Sequence, residues 1–455
     1  MFKKAFFVFR RDLRLQDNTG LMYALENAQE VVCAFIFTPE QIVKNPYRSD
    51  FCVQFMLEAL EDLEEELAKK KGKLFYFFDA PEKVISRCIK KLDIDVVVVN
   101  RDYTPYSVHR DKIIEKTCRD SSVCFKSFDD LLLHRPENLL KSNGDPYTVF
   151  TPFYKNAKKI AVDLPRQNRY TNYAGHPLGV GEIASPFRKI LSKRHMAQKG
   201  GRREALKILN SLSKYSHYEL DRDYPFKNAT THLSPHLKFT TVSAREVYCK
   251  IKNTLGVNNG LLRSLYWRDF FTSICLQFPH VLKEAFRKKF DALKWENSSA
   301  HFKRWSEGKT GFPIVDAGMR ELNQTGYMHN RVRMIVASFL VKDLHIDWRK
   351  GEKYFATHLI DYDPAVNNGN WQWAASTGCD AQPYFRIFNP WIQQAKFDPD
   401  CQYIKKWIPE LRDKDPKTIH KWYNQKVRSD YPLPIVDHSV EAHKALRDYA
   451  LKTRL

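Results

Sequence analysis

The sequence predicts an α/β N-terminal domain, with a five-stranded, parallel, doubly wound sheet, followed by an all-α C-terminal domain. Short apolar runs alternate with helix-like segments over the first 130 residues, and this alternation is typical of parallel strands with helices on both faces. The runs lie at 5–9, 31–37, 74–78, 96–99 and 123–128. Beyond about residue 186 the strand signals fade and helical periodicity takes over.

The elements of the first half follow this pattern in order. Residues 51–71 carry apolar side chains at helical spacing with glutamates on the opposite face, which predicts an amphipathic helix. The turn after the first strand reads RRDLR at 10–14, so a glycine-rich dinucleotide fingerprint is missing there. The stretch 165–182 is rich in Gly and Pro, which predicts a linker.

The second half is predicted to be helical, with a capping box formed by Ser243 and Glu246 at one helix start. The clearest helical segments are 246–253, 262–278, 314–322 and 331–343. The predicted organisation is an α/β domain, an interdomain linker and a helical domain, over residues 1–130, 131–190 and 191–455.

The composition points to an anionic partner and to a reducing compartment. Lys and Arg number 74 against 53 Asp and Glu, and a net charge of +21 is most simply balanced by nucleic acid. The nine cysteines are scattered without metal-ligand spacing, so no metal site is expected. The apolar run at 5–9 is too short for a signal peptide or a membrane span. We expect a cytoplasmic protein, or a nuclear one in a eukaryote.

All nine tryptophans lie in the second half of the chain, from Trp267 onward. Indole is readily oxidised and stacks well on flat rings, so such a concentration indicates a redox chain or a base-stacking site. Packing of a helical core is the alternative, and it is the better explanation for any one tryptophan taken alone.

Longer motifs indicate a family. The opening FFVFRRDLRLQDNTGL and, within 311–390, the segments GFPIVDAGMRELNQTGYMHNRVRMIVASFLVKDLHIDW, DYDPAVNNGNWQWAASTG and PYFRIFNP resemble the photolyase and cryptochrome family, most closely its class I cyclobutane pyrimidine dimer photolyases. The resemblance implies FAD as cofactor, active in its reduced form. The residues that match the family's FAD contacts are Tyr218, Thr230, Thr231, His232, Leu233, Ser234, Arg333, Asp361, Tyr362 and Asp363. Asn367 matches the residue that faces flavin N5, where a neutral amide can donate to a flavin anion.

The resemblance also orders the tryptophans. Trp371, Trp348 and Trp295 match the family's electron-transfer chain, and with Asn367 they form the predicted catalytic set. Trp267 and Trp373 match the aromatic residues that flank a flipped-out lesion. The full set of implied DNA contacts is Arg222, Ser264, Trp267, Arg268, Asn330, Arg331, Met334, Trp373 and Gln393.

Two positions bear on the substrate. Met334 stands where photolyases acting on (6-4) photoproducts have a histidine that serves as general acid, so the cyclobutane pyrimidine dimer is the favoured lesion. Ser264 stands where dimer-specific enzymes usually carry Glu, and a serine reaches the lesion bases only through water. This departure leaves room for another lesion preference.

Two alternatives concern the antenna pigment and the function. Tyr106 and Ser107 replace the Asn and Glu of folate-binding relatives, which leaves a deazaflavin, a second flavin, folate or no antenna. A signalling cryptochrome is the rival function, although the end of the chain at 455, soon after the core, and Asn367 both favour repair. A basic helical protein without a cofactor is a third alternative. The expected partner is damaged DNA, and the expected state is a monomer.

Overall fold

The computed structural model describes residues 1–184, 194–425 and 430–453. Its sheet has five parallel strands in the order β3-β2-β1-β4-β5, so the chain starts in the middle, winds outward to one edge and returns to the other. The strands are β1 (Phe2–Phe9), β2 (Ala28–Phe37), β3 (Leu74–Phe78), β4 (Val96–Asn100) and β5 (Cys124–Phe128). The predicted α/β class and the parallel five-stranded sheet are confirmed.

Helices connect the strands because parallel pairing requires a crossover after each strand. They are α1 (Thr19–Asn27), α2 (Pro39–Ile42), α3 (Asp50–Lys69), α4 (Pro81–Leu92) and α5 (Pro105–Asp120). The central strands are apolar on both faces since helices cover both sides. In register, Phe6 lies opposite Val32 and Val97, and all three belong to one buried cluster.

The rest of the chain is helical, as predicted. Its helices are α6 (Phe150–Ala157), α7 (Arg202–Asn210), α8 (Tyr218–Asp221), α9 (Ser234–Lys238), α10 (Ala244–Leu255), α11 (Gly260–Gln277), α12 (Ser299–Ser306), α13 (Pro313–Thr325), α14 (Asn330–Lys342), α15 (Trp348–His358), α16 (Pro364–Ala374), α17 (Pro390–Phe397), α18 (Gln402–Trp407), α19 (Pro416–His420) and α20 (His438–Thr453). The predicted capping box of Ser243 and Glu246 is present at the start of α10. No helix among the described residues has the length and apolar character needed to cross a membrane.

The chain divides into two compact units. The first unit comprises Met1–Arg194, Gln198–Ser216 and Thr231–Pro279, so it contains the sheet together with α10 and α11. The second unit comprises His195–Ala197, His217–Thr230 and His280–Leu455. The predicted linker boundary at residue 190 lies outside the described residues, and the domain boundaries stay a prediction.

A buried ion network holds the first unit together. Arg14, in the turn after β1, donates to Asp130 over 2.6 Å, and Arg245 on α10 donates to the other oxygen of Asp130 over 2.9 Å. Arg245 also pairs with Asp17 over 2.9 Å. Burial alone would raise the pKa of Asp130, but the charges of Arg14 and Arg245 outweigh burial and hold that pKa well below its usual range. The network thus ties the sheet to the helix that precedes α11.

The second unit is built around one apolar cluster. Its members come from α12 to α16 and from α18 and α19, and they include Trp305, Trp348 and Trp371. Each of these three indoles is at most 2% exposed. Large rings therefore form part of the core of this unit, which is the structural role that any single tryptophan was expected to have.

Asp130→Asn tests the ion network. It leaves two buried guanidinium groups without their shared carboxylate, and breaking a buried ion pair on one side costs about 3–5 kcal/mol. We expect a decrease of that size in the free energy of unfolding, measured by urea denaturation. Asp120→Asn, an exposed site at the end of α5, is the control and should change little. Equal stability of the two variants would contradict the assigned role.

Candidate functional site

Arg333 and Asp361 form a two-bond ion pair inside the second unit. The Nη1 and Nη2 atoms of Arg333, on α14, donate to Oδ1 and Oδ2 of Asp361 over 3.2 and 3.0 Å. The Nε atom donates to the carbonyl of Met328 over 2.8 Å. Burial would lower the pKa of Arg333, but the Asp361 carboxylate outweighs it and the pKa is raised. The pair is a preorganised charged group whose geometry leaves little freedom to either side chain.

Asp363 is the N-cap residue of α16. Its Oδ1 atom accepts from the backbone N–H groups of Ala365 and Val366 over 3.0 and 3.1 Å, and Pro364 occupies the first helical position. This is an N-cap, which satisfies two backbone donors that the helix itself cannot satisfy. The preceding residue, Tyr362, is partly buried and packs against the core.

Asn367 lies one turn into α16 and is 8% exposed. Its Nδ2 atom donates to the side chain of Glu352 over 2.8 Å and to the carbonyl of the same residue over 3.1 Å. The structure thus differs from the donating role that the sequence suggests, because both N–H groups are directed at Glu352. The amide oxygen, an acceptor, is the atom of Asn367 left to face a ligand.

Glu352 is a functional candidate that the sequence analysis missed. It lies on the buried face of α15, four residues after Trp348, and is 7% exposed. Burial raises the pKa of its carboxyl to about 7, although the hydrogen bond from Asn367 acts in the opposite direction. One signal in the sequence could have identified Glu352: an acidic residue that falls, by helical spacing, on the apolar face of a predicted helix.

The three tryptophans of the predicted electron-transfer chain differ in burial. Trp371 and Trp348 are 2% and 1% exposed, whereas Trp295 is partly buried and packs at the edge of the core. The ring of Trp371 contacts Phe355 and Trp305 with centroid distances of 4.9 and 6.3 Å. Within the second unit the set therefore extends from the core to a partly exposed ring.

Gly351 allows the close approach of Trp371 to α15. A Cβ atom at residue 351 would lie 2.2 Å from Cη2 of Trp371 and 2.5 Å from a methyl carbon of Leu340. Distances of this size exclude any side chain, so only glycine lets the indole lie directly against the backbone of this helix.

The start of α14 presents the polar residues of the predicted lesion motif. His329 caps the helix, with its Nδ1 atom accepting from the backbone N–H of Arg331 over 3.2 Å. Arg331 pairs with Asp223 over 2.8 Å. Asn330 is exposed, and its Nδ2 atom lies 3.8 Å from the sulfur of Met334. Asn330 and Met334 therefore share one outer face of the helix.

Three further predicted contacts lie elsewhere in the second unit. The guanidinium of Arg222 lies 5.6 Å from the ring centroid of Tyr218, which is itself buried. Gln393 lies on α17, and its Oε1 atom is buried without a hydrogen-bond partner among the described residues. A buried amide oxygen of this kind marks a place where a ligand or water belongs. Trp373 is partly buried and packs against the core.

The segment 231–234 belongs to the first unit, whereas Thr230 belongs to the second. His232 has a φ of +53°, and Ser234 is the first residue of α9. Thr231 and Leu233 are buried. The segment offers hydroxyl groups and backbone amides in a tight turn, a combination that suits phosphate oxygens.

The predicted DNA contacts on α11 have unequal surroundings. Trp267 stacks on Phe150 with ring centroids 3.6 Å apart and an angle of 6° between the planes. Ser264 is exposed, and its Oγ atom donates to the carbonyl of Gly260 over 3.3 Å. Arg268 donates to the carbonyl of Leu131 over 2.6 Å, and only 11% of its side chain is exposed. Arg268 is thus largely engaged within the first unit.

The chain combines a parallel sheet with a helical region that contains buried polar pairs and clustered indoles. Comparison with family models agrees: residues 5–169 match the DNA photolyase model, and residues 261–451 match the FAD-binding domain of DNA photolyase. The chain belongs to the DNA photolyase family, and FAD is its cofactor.

Individual relatives cover nearly the whole chain. A deoxyribodipyrimidine photo-lyase from Vibrio cholerae is 39% identical over 97% of this chain and 98% of its own length. An archaeal photolyase structure from Sulfolobus tokodaii with two FAD molecules, described as implying a novel light-harvesting cofactor, is 44% identical with a TM-score of 0.90 and covers 98% of this chain and 100% of its own. A cryptochrome structure from Synechocystis is 27% identical with a TM-score of 0.89, over 98% and 99% of the two chains.

Each of the two units, taken by itself, supplies polar groups that suit FAD. The turn at 231–234 supplies hydroxyls and amides for phosphates, and the Asn367 amide oxygen suits an N–H of a flavin ring. The charged pair of Arg333 and Asp361 adds fixed polar groups on α14 and beside the start of α16.

Glu352→Gln tests the buried carboxyl. Because the folded-state pKa of about 7 exceeds the ordinary 4.5, wild-type stability is greatest below pH 4.5 and falls as the pH rises through 7. The decrease relative to Glu352→Gln should approach about 3 kcal/mol, from 1.36 kcal/mol per pKa unit. Urea unfolding of both proteins between pH 4.5 and 8 measures it. Parallel pH profiles would contradict a raised pKa.

Proposed function

We propose that this protein repairs cyclobutane pyrimidine dimers in DNA by light-driven electron transfer, as a class I photolyase. The observation that carries this proposal is the near full-length similarity to curated deoxyribodipyrimidine photo-lyases. The enzyme is accordingly a carbon–carbon lyase of the deoxyribodipyrimidine photo-lyase type. When bound, reduced FAD would supply light-driven transfer of one electron to the dimer, and the return of that electron after the two carbon–carbon bonds had broken would leave no net redox change.

The proposed roles in cofactor binding rest on the family resemblance of these residues. Thr230, Thr231, His232, Leu233 and Ser234 would hold the phosphates, while Tyr218, Tyr362 and Asp363 would contact the rest of FAD. Arg333 would orient Asp361 toward the cofactor through their two hydrogen bonds. Asn367, held by Glu352, would present its amide oxygen to the flavin ring.

The proposed roles in DNA binding are divided between positioning and lesion contact. Arg222, Arg331 and Gln393 would contact the phosphate backbone of the DNA and position it, a contribution that carries no lesion specificity. Trp267 and Trp373 would stack on the extruded dimer, with Asn330 and Met334 against its edges and Ser264 acting through water. Arg268 would support α11, because its guanidinium is bonded to Leu131. An aromatic pocket can recover the few kcal/mol that extrusion of a poorly stacked lesion costs.

A second flavin is the antenna that we propose. The relative from Sulfolobus tokodaii, which contains two FAD molecules, is 44% identical over almost the whole chain. In this chain Tyr106 and Ser107 stand at the start of α5, where Ser107 takes part in the cap with Thr104 rather than offering an acidic group. We further propose that the protein acts as a monomer in the cytoplasm, or in the nucleus of a eukaryote.

The repair assay follows a thymine dimer in an oligonucleotide by chromatography, with the reduced holoprotein under blue light and in the dark. We expect intact thymines to return only in the light. A flavin-containing protein that leaves the dimer untouched would contradict repair and would favour a cryptochrome-type sensor or another lesion.

Trp371→Phe tests the electron-transfer chain, with Trp305→Phe as a matched control. Both indoles are buried and lie 6.3 Å apart, but only Trp371 belongs to the proposed chain. We expect light-driven reduction of oxidised FAD to fall to background in Trp371→Phe and to persist in Trp305→Phe. Both variants should repair dimers once the cofactor has been reduced chemically. Equal photoreduction in the two variants would exclude Trp371 from the chain.

A further inference from the structure

Phe150 and Tyr154 on α6 form a column of stacked rings with Trp267 on α11. The rings of Phe150 and Trp267 lie 3.6 Å apart at 6°, and those of Phe150 and Tyr154 lie 5.6 Å apart at 11°. Phe150 is 1% exposed, so the column is anchored in the core of the first unit. The indole plane of Trp267 is therefore fixed by a residue from a distant part of the sequence.

Two cations lie against this column. The guanidinium of Arg263, one helical turn before Trp267, lies 5.5 Å from the ring centroid of Phe150 and 5.8 Å from that of Tyr154. The ammonium of Lys158 lies 5.3 Å from the centroid of Tyr154. The ring faces hold both charges in defined positions, since a cation is attracted to the face of an aromatic ring.

Both cations lack an ion-pair partner in the part of the chain that the structure describes. Arg263 and Lys158 are also exposed. Helix α6 contains no Asp or Glu, and the only acid on α11 is the fully buried Asp269. An exposed cation without an acidic partner favours an anionic ligand.

We propose that Arg263 and Lys158 bind a phosphate of the damaged DNA strand beside the lesion. The proposal rests on the proposed function, because Trp267 is the residue assigned to lesion stacking there. Arg263 directly precedes Ser264, which is exposed on the same helix and is one of the residues proposed to act at the lesion. Arg263 can thus bind the DNA backbone next to Ser264, whose side chain is too short to reach the lesion bases directly. A phosphate is a ligand that suits a guanidinium and an ammonium held against the same column of rings.

The test measures dark binding to a duplex with one thymine dimer, and to the same duplex undamaged, by fluorescence anisotropy at several salt concentrations. Each phosphate contact contributes about −0.9 to the slope of log K against log salt concentration. Arg263→Gln should make the slope shallower by about 0.9 on the damaged duplex and leave the undamaged duplex unchanged. Arg263→Lys should keep the wild-type slope. Lys83→Gln on α4, which removes an exposed charge elsewhere in the first unit, should change neither slope.

The binding and repair measurements together distinguish a missing phosphate contact from a missing repair activity. An unchanged slope for Arg263→Gln in a protein that repairs dimers overturns the phosphate contact alone. An equal change on both duplexes, or the same change for Lys83→Gln, overturns it as well. A slope change confined to damaged DNA, in a protein that repairs nothing, supports the contact and removes the repair function. The flavin absorption spectrum of each variant reports whether the fold is intact.

Discussion

The buried network of Arg14, Asp17, Asp130 and Arg245 is the interaction on which the first unit depends. It joins the turn after the first strand to the start of α10 through charges that have almost no access to water. Buried charges of this kind tolerate little displacement, because each must keep its partner or be left unpaired in an apolar environment. The network links the sheet to α10, which precedes the helix that carries Trp267. Both α10 and α11 accordingly belong to the same compact unit as the sheet.

Polar pairs also fix the positions of side chains in the second unit. The ion pair of Arg333 and Asp361 and the hydrogen bonds of Asn367 to Glu352 each place one side chain by means of another. In both cases the residue that the family resemblance identifies is oriented by a partner from a different segment of the chain. The proposed site in this unit therefore depends on two sets of residues, those proposed to face the cofactor and those that hold them in place.

The sequence predicted the sheet, the helical second half and the family because these depend on local patterns. Buried parallel strands are continuous apolar runs, and the helices at α10, α11, α13 and α14 follow simple periodicity. Glu352 and Phe150 were not predicted as site residues, because their importance arises from contacts with Asn367 and Trp267 that lie far away in sequence. Phe150 even lies within the stretch that was predicted to be a linker. The engagement of Arg268 by a carbonyl 137 positions earlier is another contact that no local pattern reveals.

The contact between Gly351 and Trp371 has a consequence for electron transfer. The indole is enclosed by Phe355, Trp305 and the backbone of α15, with no space for a side chain at residue 351. If Trp371 carries an electron, as proposed, the close packing leaves its neighbours little room to rearrange as the charge on the ring changes. A side chain at residue 351 would displace the indole and thereby change its distance to the next member of the proposed chain.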